Sequence, residues 1–159
     1  MNCEQVVLSR PFRVRNTDEA RRVFEMLGFE VEIDCDDKVV IFSENSYWDD
    51  DAVAILDTKI DKYVGGYSTA YQEIGEVFPD FEHDPTRYEE VELEKFVKDI
   101  IVDYEVFVLT ETYNEGFRYN GAWSIMISRF DTRSVNLDEL INDNVKSMIT
   151  MERMDDRAN

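Results

Sequence analysis

The sequence predicts an α+β fold, a single domain in which antiparallel hairpins pack against three or more helices. Apolar and acidic residues alternate with a period of two over residues 29–36, which is typical of a half-buried strand. Apolar residues recur at helical spacing over residues 93–104. The chain has 159 residues, about the length of one domain. We therefore predict one acidic domain over residues 1–159, with sub-regions 1–83 and 84–159 as the alternative division.

The N-terminal part predicts a strand followed by a helix. Residues 6–15 form an extended apolar segment interrupted by Pro11, and because proline cannot donate a ladder hydrogen bond we predict an edge strand. Asn16 is a typical helix N-cap, and Glu19 follows three residues later, as in a capping box. Gly28 is a typical C-terminal stop. The first helix is therefore predicted between Asn16 and Gly28.

The next segment, residues 29–43, predicts a β-hairpin with an acidic outer face. One face carries Phe29, Val31, Ile33 and Cys35, and the other carries Glu30, Glu32, Asp34 and Asp36. Residues 38–43 supply the partner strand, and Asp36-Asp37 is predicted to form the tight turn. Alternate carboxylates on such a strand stand about 6.6 Å apart on one face.

The stretch from residue 45 to residue 83 allows two interpretations. The acidic run Asp49–Asp51 suits the positive end of a helix over residues 52–64, and a strand over residues 52–56 is the alternative. Ser68 is predicted to cap a short helix that Pro79 ends.

The second half predicts another helix, a second hairpin and a last helix. Thr86 and Glu89 repeat the capping-box spacing, ahead of an apolar stripe formed by Leu93, Phe96, Val97, Ile100, Ile101 and Tyr104. Residues 106–113 and 122–130 read as two strands. Asn136 is predicted to cap the last helix, whose apolar side is Leu137, Leu140, Ile141, Val145, Met148 and Ile149. We expect residues 152–159 to fray, and Met148, Met151 and Met154 to belong to the core or to that frayed end.

The residues that usually carry chemistry are sparse. The single histidine, His83, lies in a polar loop, and no nucleophile motif accompanies it. Cys3 and Cys35 lie too far apart in the sequence for a zinc motif. The segments that begin at Asp34 and Asp57 lack the oxygen ligands and the glycine of an EF-hand loop. We therefore predict no catalytic residues, no metal and no cofactor, and a protein that is not an enzyme.

Negative charge is concentrated in the middle of the chain. The sequence has 17 basic and 36 acidic residues, a formal charge of −19. Residues 29–112 alone carry −18, against +1 for residues 1–28 and −2 for residues 113–159. Such a field repels nucleic acid and anionic membranes and attracts basic protein surfaces. We therefore expect no direct nucleic-acid partner and no membrane partner, but a basic protein surface.

Twelve carboxylates are the candidate partner-binding residues, and we expect them to form one contiguous surface that imitates the phosphates of DNA. They are Glu30, Glu32, Asp34, Asp36, Asp37, Asp49, Asp50, Asp51, Glu89, Glu90, Glu92 and Glu94. DNA presents one phosphate per about 3.4 Å of each strand, so several neighbouring rows of carboxylates would be needed to match it.

The second hairpin resembles a known signature. Tyr113-Asn114-Glu115-Gly116 follows a strand, and Gly121-Ala122-Trp123 opens the next one. This order is similar to that of ArdA-type antirestriction proteins, acidic DNA mimics carried by mobile genetic elements. The resemblance implies a non-catalytic, elongated dimer that occupies the DNA-binding cleft of type I restriction enzymes. Tyr113, Asn114, Gly116, Gly121 and Trp123 also have a structural interpretation, since Asn and Gly tolerate left-handed backbone and Trp anchors the hairpin.

The function predicted from these patterns is that of an acidic DNA mimic from a phage or mobile element. It would inhibit a host-defence enzyme, either a restriction enzyme or a CRISPR effector. The alternative is an immunity protein that neutralises a cationic nuclease toxin. A third hypothesis, a small enzyme or ligand-binding module, would use Tyr67, Tyr71, His83 or Trp48 around a pocket. We expect a cytoplasmic protein, because the sequence contains neither a membrane-span pattern nor a signal-peptide pattern.

Overall fold

The computed structural model describes residues 4–44, 48–114 and 120–158. Its strands are β1 (Glu4–Ser9), β2 (Glu30–Ile33), β3 (Val39–Ser43), β4 (Ala52–Asp57), β5 (Lys62–Ser68), β6 (Tyr88–Glu92), β7 (Phe107–Asn114), β8 (Asn120–Ile127) and β9 (Thr132–Asn136). Its α-helices are α1 (Thr17–Met26), α2 (Ile74–Val77), α3 (Leu93–Ile100) and α4 (Leu137–Ala158), and Pro79–Glu82 forms a 3-10 helix. The predicted α+β class is confirmed.

The strands form two antiparallel sheets around one core. The larger sheet has the strand order β2-β3-β1-β7-β8-β9, and the smaller has the order β5-β4-β6. A single cluster of buried side chains joins residues of both sheets with residues of α1 and α3. In this cluster the ring of Phe24 lies against the rings of Phe12, Phe29, Phe96 and Phe107.

The six-stranded sheet has a covered face and an open face, because residues paired directly across strands point to the same side. The row Ser43, Val7, Glu111, Trp123 and Asn136 belongs to the covered face, which packs on the core. The neighbouring row Glu30, Phe42, Leu8, Thr110, Ser124 and Val135 belongs to the open face. Leu8 is 50% exposed there, so this face is accessible to solvent.

The N-terminal strand differs from its prediction, whereas the first helix agrees with it. β1 pairs with both β3 and β7 and is therefore a central strand, because Pro11 lies beyond its end. The Asn16 side chain accepts hydrogen bonds from the backbone N–H groups of Asp18 and Glu19, as a cap should. The Glu19 carboxylate does not complete the capping box but accepts from the backbone N–H of Tyr63 at 2.8 Å. Gly28 ends the helix region with φ 94°.

The first hairpin is confirmed, with a longer turn than predicted. The turn runs from Asp34 to Lys38, and the Asp34 carboxylate accepts hydrogen bonds from the backbone N–H groups of Asp36 and Lys38, both at 2.9 Å. Cys35 lies in this turn and is exposed, so its predicted place on the apolar strand face is wrong. Cys3 lies outside the described residues.

The helix predicted over residues 52–64 is wrong, and the alternative strand is correct. β4 pairs with β5 on one side and with β6 on the other, so its backbone groups are satisfied by the sheet. The chain reverses direction between β4 and β5, where Asp61 adopts a φ of 52°. Ser68 therefore ends a strand, the short helix begins only at Ile74, and Pro79 starts the 3-10 helix that follows.

The capping-box prediction at Thr86 is also wrong. The Thr86 hydroxyl donates to the Asp84 carboxylate at 3.3 Å, and the chain enters strand β6 rather than a helix. α3 begins at Leu93. Tyr104, predicted on the helical stripe, lies beyond the helix, fully exposed, with a φ of 67°.

The C-terminal elements are partly as predicted. β7 and β8 form the second hairpin, but β8 ends at Ile127 and is followed by β9, which was not predicted. The Asn136 side chain accepts from the backbone N–H of Asp138 at 2.9 Å, which confirms the cap. Residues 152–158 are helical rather than frayed. Met148, Met151 and Met154 are exposed on α4, so their predicted place in the core is wrong.

None of the helices in the described parts of the chain combines the length and the apolar character needed to cross a membrane.

Candidate acidic binding site

A cleft between two tryptophans gathers five carboxylates at the junction of the two sheets. A depression of about 390 Å³ is lined by Trp48, Asp49, Asp50, Glu94, Glu111, Trp123 and Ile125. An adjoining depression of about 180 Å³ shares Trp48, Asp49, Asp50 and Glu94 and adds Ala52, Glu92 and Leu93. We call the two together the tryptophan cleft.

Three parts of the chain build this cleft. Trp48 precedes β4, and its ring lies 5.7 Å from the buried ring of Phe107. A short turn follows, in which the Asp49 side chain accepts from the backbone N–H of Asp51 at 3.0 Å. Glu92 ends β6, and Glu94 is the second residue of α3. The third part is the second hairpin, where Glu111 and Trp123 are paired directly across β7 and β8.

Among the cleft carboxylates, Glu94 has a cation of the described residues beside it. Its carboxylate accepts from the Thr132 hydroxyl at 2.6 Å and lies 3.1 Å from the Lys98 ammonium. These two contacts, the Thr132 hydrogen bond first, lower the pKa of Glu94 below its usual value. The Glu111 carboxylate accepts from the Gln5 amide. Within residues 4–44, 48–114 and 120–158, no Lys or Arg forms an ion pair with Asp49, Asp50, Glu92 or Glu111.

The carboxylates continue from the cleft along the outer side of the small sheet. Glu90 and Glu92 lie on the same side of β6, about 6.6 Å apart. The Glu90 carboxylate accepts a hydrogen bond from the Tyr67 hydroxyl. Burial, Glu90 and the nearby Glu73 together raise the pKa of Tyr67 well above its usual value, so this tyrosine remains a neutral donor. We call Glu73, Glu90 and the five cleft carboxylates the acidic band.

The band has the chemistry to bind a cationic side chain. In the described residues no group of three or more His, Cys, Asp and Glu side chains has the arrangement of a metal site. His83 is exposed, in the loop after the 3-10 helix, and does not line the cleft. Two indole rings beside carboxylates instead match a guanidinium or ammonium group, which gains from both ion pairing and cation–π contact.

Searches of protein-family models, curated protein sequences and solved structures find no match for this chain.

The structure divides the twelve predicted carboxylates instead of placing them on one surface. Asp49, Asp50, Glu90, Glu92 and Glu94 belong to the acidic band. The hairpin residues Glu30 and Glu32 point to the open face of the large sheet, on the side opposite to Glu111 and Trp123. β2 and β8 are four strand spacings apart, about 19 Å. The expectation of a single contiguous array is therefore wrong for the first hairpin.

The other predicted acidic residues have separate positions. Asp34 holds the hairpin turn through its backbone contacts, and Asp36 and Asp37 are exposed beside it. Asp51 is exposed just before β4. Glu89 lies on the opposite side of β6 from Glu90 and Glu92 because of the strand alternation. Thus seven of the twelve lie outside the acidic band.

Sequence reasoning missed three contributors to this site. The sequence analysis named Trp48 only as part of a pocket hypothesis. Its position directly before three aspartates could have indicated an aromatic side chain beside carboxylates. Glu111 could be found only from its pairing with Trp123. Glu73 lies between Lys62 and Arg87, in a stretch that contains no lysine or arginine. This lack of basic residues could have indicated an uncompensated carboxylate.

The second hairpin shows why its signature residues occur there. Gly121 pairs with Tyr113, and a Cβ atom at Gly121 would overlap the Tyr113 ring. Gly121 has no positive φ, so it provides room for a ring rather than the left-handed backbone that was predicted. Trp123 packs on the core as predicted and also lines the cleft. Gly116 lies outside the described residues.

Proposed function

We propose that this protein is an acidic inhibitor that imitates DNA and occupies the basic DNA-binding cleft of a host-defence enzyme. The enzyme would be a restriction enzyme or a CRISPR effector, and the inhibitor would come from a phage or mobile element. The observation that carries the proposal is the acidic band, in which five carboxylates surround one cleft and, among the residues that the structure describes, a single lysine compensates one of them. The inhibitor needs no catalytic group.

The spacing of the band supports DNA mimicry. Glu90 and Glu92, which lie on the same side of β6, stand about 6.6 Å apart, about twice the distance of roughly 3.4 Å between phosphates of one DNA strand. Asp49, Asp50 and Glu94 line the depression beside Glu92 and supply additional negative charge. Holding these carboxylates together destabilises the free protein by self-repulsion, and a cationic cleft on a partner would relieve it.

The second hairpin supports the same proposal independently of total charge. The strand pair that resembles ArdA-type proteins contributes both Glu111 and Trp123 to the cleft. The segment that resembles ArdA-type proteins and the acidic band therefore lie in the same part of the molecule.

One observation favours a second candidate, an immunity protein against a cationic nuclease toxin. The tryptophan cleft is concave, and a concave acidic site accepts a projecting arginine or lysine side chain. An immunity protein that grips one projecting side chain of its toxin would use the cleft in this way.

Capture of partners at two salt concentrations tests the proposal. The immobilised protein is expected to retain a DNA-processing defence enzyme from host lysate at about 50 mM salt and to release it at about 500 mM, because salt screens the charge contacts. Excess duplex DNA should compete for that enzyme. If the captured enzyme binds this protein and duplex DNA at the same time, mimicry is wrong. If a toxin nuclease is captured instead, the immunity function is correct and the inhibition of a defence enzyme is wrong.

A charge-removal variant tests whether the acidic band is the surface that binds the partner. The triple variant Asp49→Asn, Asp50→Asn, Glu92→Gln is expected to bind the captured partner about 10- to 100-fold more weakly, at up to about 1 kcal/mol per exposed charge. Most of the change should appear as slower association and a flatter salt dependence. Surface plasmon resonance at several salt concentrations would measure both.

The matched control removes three charges from the first hairpin. Glu32→Gln, Asp36→Asn and Asp37→Asn change the net charge equally, in the hairpin whose acidic strand faces away from the cleft. Binding should be close to that of the unaltered protein. Equal losses for both variants would mean that total charge, not the acidic band, recruits the partner.

A further inference from the structure

Two loops at the same end of the large sheet display exposed aromatic side chains. Residues 101–106 join α3 to β7, and residues 128–131 join β8 to β9. Tyr104 is fully exposed in the first loop, and Phe130 is 91% exposed in the second. Exposed apolar groups that lie together, in contrast to isolated ones, mark interaction surfaces. The question is therefore whether the two loops lie together.

Ion pairs hold the two loops side by side. Asp103 directly precedes Tyr104. Its carboxylate forms an ion pair with Arg129, the residue before Phe130, and lies 3.7 Å from the Arg15 guanidinium. The Arg129 guanidinium also lies 5.9 Å from the centre of the Phe130 ring, within the range of a cation–π contact. One carboxylate thus joins two arginines and both aromatic loops.

Hydrogen bonds within the loops fix their shape. The Glu105 carboxylate accepts from the backbone N–H of Arg13 at 2.9 Å and from that of Val106 at 3.0 Å. In the second loop the Ser128 hydroxyl accepts from the backbone N–H of Asp131 at 3.1 Å. Because these loops are ordered before any partner binds, binding costs less conformational entropy.

The backbone of Tyr104 adds a separate indication. Its φ of 67° lies in the left-handed region, which bulky residues seldom adopt. Strained backbone of this kind is concentrated at binding and switching sites. The strain therefore agrees with a binding role for the first loop.

These loops belong to the basic part of an acidic protein. Residues 10–15, 101–106 and 128–133 carry five arginines and three acidic residues, a net charge of +2, whereas the rest of the chain carries −21. An isolated β-bridge joins the first two of these segments. Arg13 is exposed there, and none of the described acidic residues forms an ion pair with it. Its guanidinium can therefore bind a carboxylate of another molecule.

We propose that the exposed arginines and rings of these adjoining segments form a docking surface for an acidic segment of another protein. We call this surface the arginine–aromatic patch, which consists of Arg13, Arg15, Tyr104, Arg129 and Phe130. Arginine and aromatic residues are enriched at the centres of protein interfaces. The two rings supply about 300 to 500 Å² of the roughly 800 Å² that each partner buries in a stable interface. The proposal uses no residue of the acidic band and does not depend on the function proposed for it.

Charge favours a protein segment over a nucleic acid as the occupant. Three carboxylates lie among the arginines of these segments, namely Asp103, Glu105 and Asp131, and they would repel phosphates. A nucleic acid also carries charge along its whole length, so it would meet the negative remainder of the chain. An acidic peptide offers a few carboxylates together with apolar side chains, which match the guanidinium groups and the rings of the patch.

Selection from a random peptide library displayed on phage tests this surface. Peptides that bind the unaltered protein are kept, and those that also bind the variant Tyr104→Gly, Phe130→Ser are removed. Glycine suits the left-handed backbone at residue 104, so this variant is expected to fold. We expect the remaining peptides to be rich in Asp and Glu beside large apolar residues.

Fluorescence anisotropy of one selected and labelled peptide measures the contribution of the rings. The variant Tyr104→Gly, Phe130→Ser should bind it at least about tenfold more weakly, because both rings are lost. The control Tyr71→Gly, Ile60→Ser removes two side chains that are 80% and 51% exposed in other loops. That control should bind like the unaltered protein.

A second pair of variants measures the contribution of the charge. Arg129→Gln should weaken binding of the same peptide about five- to tenfold, since a charge-assisted hydrogen bond is lost. Arg153→Gln removes the same charge from α4, outside the patch, and should leave binding unchanged. Circular dichroism would show that both variants are folded.

Three outcomes would overturn the docking surface. The first is a selection that yields no peptide dependent on Tyr104 and Phe130, and the second is a set of dependent peptides that are basic. The third is tighter binding of a single-stranded thymidine oligonucleotide than of the selected peptide, lost in the same variant, which would assign the patch to nucleic acid. The function of the acidic band is unaffected by any of these results, because its partner is captured through other residues.

Discussion

Replacing Phe24 by alanine is expected to lower the free energy of unfolding by about 4 kcal/mol. The Phe24 ring is fully buried, and its centroid lies 5.6 Å from that of Phe96 and 5.9 Å from that of Phe29. It also faces the rings of Phe12 and Phe107 at 6.3 and 6.4 Å. Removing it takes away the edge-to-face contacts and leaves a cavity between α1, α3 and the large sheet. Urea unfolding followed by tryptophan fluorescence would measure the loss.

The control for Phe24 lies on the same helix. Met26→Ala removes a side chain that is 45% exposed and should cost less than about 1 kcal/mol. If Phe24→Ala leaves too little folded protein to measure, Phe24→Leu provides a smaller and measurable loss. Equal costs for Phe24→Ala and Met26→Ala would contradict the position assigned to α1 on the core.

Replacing Asp57 by alanine is expected to destabilise the fold by about 3 kcal/mol, because it leaves Arg87 without its carboxylate. The Asp57 side chain is 3% exposed and accepts from the Arg87 Nε and Nη2 groups at 3.0 to 3.2 Å. It also accepts from the backbone N–H of Lys59 in the turn after β4. The exposed pair Arg133–Asp131 provides the control, where Asp131→Ala should cost less than about 1 kcal/mol.

The same ion pair makes stability depend on pH in a defined direction. The Arg87 hydrogen bond lowers the pKa of Asp57 below its usual value. A carboxyl with a lowered pKa in the folded state contributes stability that is present above the unfolded pKa of about 4 and is lost as the pH falls through the folded pKa. Asp57→Asn should therefore weaken the fold at neutral pH and flatten its acid limb below about pH 4. An acid limb unchanged from the unaltered protein would show that Asp57 is not charged in the fold.

Elements held by contacts between residues close in the sequence were predicted correctly, whereas elements held by contacts between distant residues were not. The helix after Asn16 and the hairpins at residues 29–43 and 107–127 depend on caps, turns and periodicity within a short segment, so the sequence predicts them. β4 and β6 pair with each other although more than 30 residues separate them. The acidic residues before residue 52 and the Thr86–Glu89 spacing resemble the starts of helices. The pairing of β4 with β5 and β6 stabilises these segments more than a helix would, so they form strands.

The candidate site shows the same limit. The amount and the central location of the negative charge follow from the sequence alone. The tryptophan cleft needs Glu111 beside Trp123 and both near Asp49, which depends on contacts between distant segments. No periodicity within one segment carries that information.

The amino-acid order by itself determined the α+β class, the first helix, both predicted hairpins and an acidic middle region, because neighbouring residues set turns, caps and alternation. Only the tertiary structure decided which carboxylates share a surface. Strand pairing sets the side of the sheet to which each residue points, and a carboxylate on the wrong side cannot join the others however close it lies in the chain. For this reason Glu30 and Glu32 point away from the cleft, whereas Glu111 lines it.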